Sequence, residues 1–110
     1  TIHKGGTIMT VYLSGPITGV EGYMENFERF ESLLQSRGYK VVNPAKFVFD
    51  PSISYDEIME HDIAELAKCD AIYLMPGWRN SKGAVMEMNF AREKNNHILV
   101  LSEYVVVDYE

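Results

Sequence analysis

The chain has 110 residues, enough for one ordinary hydrophobic core and too few for two. Sixteen acidic residues against ten basic ones give a formal charge of −6, and no lysine or arginine cluster interrupts that balance; this argues against a nucleic-acid polymer as partner and for a small molecule. No apolar run approaches the roughly 20 residues that span a bilayer, no secretory signal is visible, and the single cysteine, Cys69, offers no disulfide framework.

A reduced, cytoplasmic setting is therefore expected, with Cys69 read as a small buried hydrophobe. His3, His61 and His97 have no ligand spacing and no cysteine cluster joins them, so neither a metal nor another cofactor is expected. Residues 1–8 are polar ahead of Met9 and are read as a disordered leader or remnant, leaving residues 9–110 as a single domain. Residues 9–14 (MTVYLS) form a predicted buried strand, followed by a glycine-containing loop over 15–24. Phe27, Phe30, Leu33 and Leu34 recur at helical spacing over 25–37, and Gly38 supplies the stop. Residues 39–43 (YKVVN) make a second strand that ends at Pro44. The segment 44–53, with Phe47, Val48 and Phe49, is too apolar for a plain linker and is expected to lie over something.

Ser54 and Glu57 have the spacing of a capping box, which opens a second helix running to about residue 68. Residues 70–75 form the third strand, the loop 76–80 leads into a third helix from about Ser81 to about residues 95–96, and residues 97–102 form the fourth strand. Residues 104–109 read as a fifth strand or a partner-facing tail. Strands this apolar, alternating with helices, predict an α/β, Rossmann-like (flavodoxin-like) fold: a parallel sheet of four to five strands with helices on both faces. In such sheets ligands bind at the carboxyl ends of the strands, here the loops 15–24, 44–53 and 76–80.

Two carboxylates break the apolar pattern. On a helix through 81–94, Lys82, Asn89, Arg92 and Glu93 share a polar face, while Glu87 points into the arc of Ala84, Met86, Met88, Phe90 and Ala91. On the preceding helix Asp62 lies inside the stripe of Ile58, Met59, Ile63, Leu66 and Ala67. Burying a carboxylate is costly unless it is paired or hydrogen-bonded, so two of them in successive helices point to a shared pocket where carboxylate chemistry is used.

The remaining candidates carry an ordinary reading beside a functional one. The loop Gly15-Pro-Ile-Thr-Gly19 is a tight turn or, through Gly15, Ile17, Thr18 and Gly19, an anion-accepting backbone. Ser81 is a helix N-cap, and the same hydroxyl with the first-turn amides can receive a phosphate. Tyr12 is a core residue or a phenol that holds a catalytic carboxylate. Trp78, beside Arg79, is an exposed loop aromatic or a stacking surface for a planar ligand, and Asp70 is a turn or cap acid at the opposite end of the sheet.

Taken in order, Val11-Tyr-Leu-Ser-Gly-Pro16, His61-Asp-Ile-Ala-Glu-Leu-Ala-Lys-Cys-Asp70 and Ser81-Lys-Gly-Ala-Val-Met-Glu87 resemble the nucleoside 2-deoxyribosyltransferase superfamily, which includes deoxynucleoside 5′-monophosphate N-glycosidases and small phage and bacterial relatives. The resemblance runs from Val11 to about Leu101. It implies Glu87 as nucleophile, Asp62 as an aid at the base or sugar, and Tyr12 as the residue that orients Glu87. Substrate contacts would come from Gly15, Ile17, Thr18, Gly19, Trp78, Asn80, Ser81 and Gly83. Ser81 stands where the transferases tend to have Asp and the monophosphate hydrolases Ser, and a second carboxylate there would repel a phosphate. Pro16 and Thr18 depart from the hydrolases, which often have Ser and Arg in that turn.

The implied function is cleavage of the N-glycosidic bond of a (2′-deoxy)nucleoside 5′-monophosphate, by hydrolysis or by transfer to another base. The implied assembly is a homo-oligomer with a shared active site, to which Ser102 is a candidate contributor. The alternatives are a non-catalytic nucleotide-binding or sensing module, an NAD-type glycohydrolase of TIR-like architecture, and an interaction protein that uses 104–109 as an edge strand.

Overall fold

The protein is described by a computed structural model covering residues 3–4 and 7–103. Its elements are β1 (His3–Lys4), β2 (Thr7–Ile8), β3 (Thr10–Ser14), α1 (Tyr23–Ser36), β4 (Lys40–Val42), α2 (Tyr55–Leu66), β5 (Ala71–Leu74), α3 (Lys82–Ala91) and β6 (Leu99–Ser102). β1 and β2 pair antiparallel within the segment expected to be an unstructured leader. β3 to β6 form the parallel sheet read from the sequence, in the order β4-β3-β5-β6. The expected fifth strand at 104–109 lies outside the described residues.

Strand alternation sorts the side chains of the central strand onto two faces. Val11 and Leu13 join Phe27 and Leu34 of α1, with Ala71, Tyr73, Met75 and Leu101, in one core. Tyr12 turns the other way and packs with Leu66 of α2, Ala91 of α3 and Ile72, Leu74, Cys69, Ile98 and Val100. One helix therefore covers one face of the sheet and two helices cover the other. The strand order reverses between β3 and β5, so the crevice between their carboxyl ends is the natural ligand position of this topology.

Local chemistry sets the helix ends. Gly38 adopts φ +94°, which a side chain would strain, and closes α1 as the sequence indicates. The expected capping box is complete: Ser54 Oγ accepts from the Glu57 amide at 3.1 Å, and Glu57 Oε1 accepts from the Ser54 amide at 3.0 Å. α3 stops at Ala91, short of the expected residues 95–96, because Asn96 Nδ2 reaches back to donate to the Phe90 carbonyl at 2.7 Å. That bond adds a side-chain donor to a carbonyl that also accepts from the Glu93 amide at 3.2 Å, and residues 94–96 follow as a 3₁₀ turn. Met86, placed on the apolar arc by the helical wheel, is 40% exposed; the inward stripe of α3 is Ala84, Glu87 and Ala91.

Candidate active site

The two helices over the second face carry the same device. The buried stripe of α2 is Met59, Asp62 and Leu66, and that of α3 is Ala84, Glu87 and Ala91. Both have spacing three then four, with the acid in the middle. Alanines on either side of Glu87 let α3 approach the sheet closely, so the longer acid reaches across the carboxyl end of β3.

There Tyr12 Oη donates to Glu87 Oε2 at 2.7 Å, and Ser14 Oγ donates to Oε1 at 2.7 Å. Tyr12 and Ser14 are two apart on one strand, so the period of the strand aims both hydroxyls at one carboxylate. Tyr12 and Ser14 are fully buried and Glu87 is 6% exposed. Burial pushes the Glu87 carboxyl up to about 7, the two hydroxyls pull it down and the like charge of Asp62 adds to the rise. Burial, then the charge of Glu87, hold the Tyr12 phenol far above its ordinary range, so it stays a donor. Asp62, 8% exposed, is also raised by burial, against a lowering contact from His61.

The two acids converge. Asp62 and Glu87 line one cavity of about 190 Å³ with Leu13, Gly15, Ile17, Thr18, Phe27, Pro44, Tyr55, Ile58, Met59, Ser81, Gly83 and Ala84. A wider cleft of about 590 Å³ continues outward past Pro16, Ile17, Thr18, Tyr55, Asn80, Ser81, Lys82 and Gly83. Ser81 borders both. Its Oγ accepts from the Ala84 amide at 3.2 Å, and the first bond of the helix ladder is Val85 N to Ser81 O. The amides of Lys82 and Gly83 thus lack helical acceptors, as at any α-helix start.

Gly15 permits the close approach behind this site: a Cβ there would sit 2.9 Å from Met75 Cβ, so the β3 loop can run against the end of β5 only without a side chain. A Cβ on Gly83 would come within van der Waals contact of Met59 Sδ and Tyr55 Oη, each at 3.4 Å, on the cavity wall. Tyr12→Phe is expected to lower stability by about 1.5 kcal/mol at pH 8, the scale of a hydrogen bond to a charged group. The loss should shrink at pH 5, where Glu87 is protonated; chemical denaturation at both pH values checks this.

Most of the sequence-derived site residues meet here. Gly15, Ile17, Thr18, Ser81, Gly83, Asp62 and Glu87 line the inner cavity, Asn80 lines the outer cleft, and Tyr12 stands behind Glu87. Gly19 borders neither. Trp78 lies elsewhere: with Arg79, Met88, Arg92, Val100 and Ser102 it lines a separate cleft of about 500 Å³ beyond the carboxyl ends of β5 and β6. The Arg79 guanidinium sits 4.8 Å over its ring. Asp70, at the opposite edge, accepts from the Thr10 amide at 2.9 Å and ties the starts of β3 and β5 together.

Sequence reasoning missed Ser14 and Tyr55. Ser14 was detectable as the residue two after Tyr12; Tyr55 gave no signal beyond its place at a helix start. Among the described residues no three of His, Cys, Asp or Glu gather in a way that could hold a metal ion, and no helix is long and apolar enough to cross a membrane.

The arrangement is similar in fold to the 2-deoxyribosyltransferase of the psychrotolerant bacterium Bacillus psychrosaccharolyticus, with a TM-score of 0.62, 15% identity, and coverage of 84% of this chain and 72% of that one. That protein is described as a biocatalyst for the synthesis of nucleosides. No curated protein matches the chain. Tyr12, Ser14, Asp62, Ser81 and Glu87 all fall within residues 9–100, the span matched by the family model "Domain of unknown function (DUF4406)", and the chain belongs to that family.

Proposed function

We propose that the protein is an enzyme that cleaves the N-glycosidic bond of a 2′-deoxynucleoside 5′-monophosphate. One observation carries this reading: a buried carboxylate held through both oxygens by neutral hydroxyls, facing a cavity that also contains a second buried carboxyl. A glutamate fixed in that way has its rotamer set before a ligand arrives. Its raised pKa expresses an anion that burial disfavours and that a cationic sugar transition state would relieve.

The steps follow from that placement. Glu87 attacks C1′, the C1′–N bond breaks, and a glycosyl ester forms on the carboxylate. Asp62 gives its proton to the departing base nitrogen. Water then attacks C1′ and passes a proton to Asp62, which frees Glu87 and releases the sugar phosphate. A second free base in place of water makes the same sequence a transfer; hydrolysis is preferred because Ser81 stands where a monophosphate hydrolase has Ser. The likeness in fold to a 2-deoxyribosyltransferase supports a nucleoside-type substrate.

The wider cleft bordered by Ser81 is assigned to the 5′-phosphate, whose charge suits a helix start with free amides. Ser81→Ala is accordingly expected to raise KM for a monophosphate about tenfold, roughly the 1.4 kcal/mol of one charge-assisted hydrogen bond, and to leave the parent nucleoside unaffected. Ser81→Gly, which as an N-cap costs only a few tenths of a kcal/mol, separates the phosphate contact from helix stability.

The deciding experiment incubates the protein with a panel of nucleosides and monophosphates, each with and without a second free base, and resolves products by chromatography. Free base with deoxyribose phosphate supports hydrolysis, and an exchanged nucleotide supports transfer. Saturable binding without product favours the sensing module, and nicotinamide released from NAD favours the TIR-like alternative. We also propose a homo-oligomer with a shared site, which solution mass measurement tests directly.

A further inference from the structure

Asp62 has a partner that catalysis as described does not use. Its Oδ1 lies 3.1 Å from Nδ1 of His61, the preceding residue of α2. Adjacent helix residues point away from each other, so this contact is no by-product of helix geometry; the imidazole has to be turned back toward the acid. Phe47 and Phe49 hold it there. Their rings meet the imidazole edge-on at 4.8 Å and 5.0 Å, with interplanar angles of 85° and 88°, and meet each other edge-on at 6.3 Å. This is what the apolar segment after β4 lies over. The His61 side chain is 41% exposed and that of Asp62 only 11%, so the ring links solvent to a carboxyl that is nearly closed off.

We propose that His61 is a positioning residue: clamped by Phe47 and Phe49, its Nδ1–H occupies Oδ1 of Asp62, so that the transferable proton sits on Oδ2, the oxygen left to the cavity. This rests on the N-glycosidase reading, in which Asp62 protonates the leaving base. A carboxyl that accepts a hydrogen bond at one oxygen carries its own proton on the other. The proton leaves from Oδ2 to the base nitrogen and returns there from the attacking water. The titratable groups that act on or are acted on by Asp62 are His61 and Glu65 on its own helix, Tyr55 at the start of that helix, Glu87 from α3 and Tyr12 from β3. Of these only His61 can carry a positive charge.

Two variants test the assignment. His61→Phe keeps an aromatic ring between Phe47 and Phe49 but removes the donor, and His61→Asn returns an N–H close to the place of Nδ1. On an ordinary purine deoxynucleotide His61→Phe is expected to lower kcat about tenfold with KM unchanged. His61→Asn should recover most of that loss. In a single turnover on an N7-methylated purine nucleotide, whose base leaves without needing a proton, both should release base at the wild-type rate.

In the free protein, the side-chain carbon titration of Asp62 by NMR should move to higher pH in His61→Phe and return in His61→Asn. Phe47→Ala/Phe49→Ala, which keeps the imidazole but frees it, should shift both readouts in the direction of His61→Phe. An unchanged kcat, an equal loss on both substrates, or an unmoved Asp62 titration in His61→Phe overturns the proposal; wild-type behaviour of the double alanine variant overturns the clamp. If wild type turns over no nucleoside or nucleotide, the N-glycosidase reading fails instead, and the carbon titration still decides whether His61 orients Asp62.

Discussion

Glu87→Gln should leave a protein that is more stable than wild type at pH 8 and that releases base at least ~10³-fold more slowly, as expected when a nucleophile is removed from a group of residues that act as a unit. The stability gain comes from the same burial that suits the residue to its task. In the folded protein the Glu87 carboxyl titrates at about 7 against an ordinary value of about 4.5. Between those values the folded state holds a proton that the unfolded state has released, so wild-type stability falls as pH rises through the window. Above about 7 the full penalty is present, on the order of 3 kcal/mol.

Glutamine carries no charge, and its amide can still meet both hydroxyls, because a hydroxyl accepts as readily as it donates. The variant should therefore gain on the order of 2 kcal/mol at pH 8, or roughly 10 °C in Tm, and nothing at pH 4. Thermal melts at the two pH values check this. A variant that melts below wild type at pH 8 would mean that Tyr12 and Ser14 stabilise the anion by more than burial costs it. The activity of wild type carries the matching signature. A nucleophile must be ionised, so kcat/KM should rise with pH along an acid limb centred near 7.

The two buried acids were legible in the sequence because helical periodicity is strong and a charge inside an apolar stripe is conspicuous. The parallel sheet was legible for a related reason: strands such as VYLS and AIYL have no polar face to show to water. What escaped depends on contacts that cross between elements. Ser14 looked like the polar end of a strand until α3 brought Glu87 over it. Trp78 was a fair candidate for stacking, but the 3₁₀ turn at Trp78–Asn80 sets its ring toward β6, beside Met88 and Val100 and away from Glu87. The early end of α3 turns on one side-chain amide, that of Asn96, reaching a carbonyl six residues back. Neither Trp78 nor Asn96 leaves a periodic trace, and Ser14 leaves only its spacing of two from Tyr12.

Asp62→Asn bears on the other half of the chemistry, and its effect should depend on the leaving group. An asparagine fills the same space and can still contact His61, but it has no acidic proton to give. Release of an unmodified purine should slow by ~10²-fold or more, the usual contribution of general acid catalysis. Release of an N7-methylated purine in a single turnover should stay close to wild type, because that base departs neutral and Asp62 is needed only later, when water attacks the glycosyl ester. The substitution also removes a like charge from the surroundings of Glu87, which that charge raises. The acid limb of the methylated substrate should therefore move to lower pH. Residues in one hydrogen-bonded unit do not contribute additively; if His61 acts only through Asp62, adding His61→Phe to Asp62→Asn should slow the reaction no further. A loss that is equal for both purines would instead make Asp62 a binding residue, and an acid limb that stays in place would separate it electrostatically from Glu87.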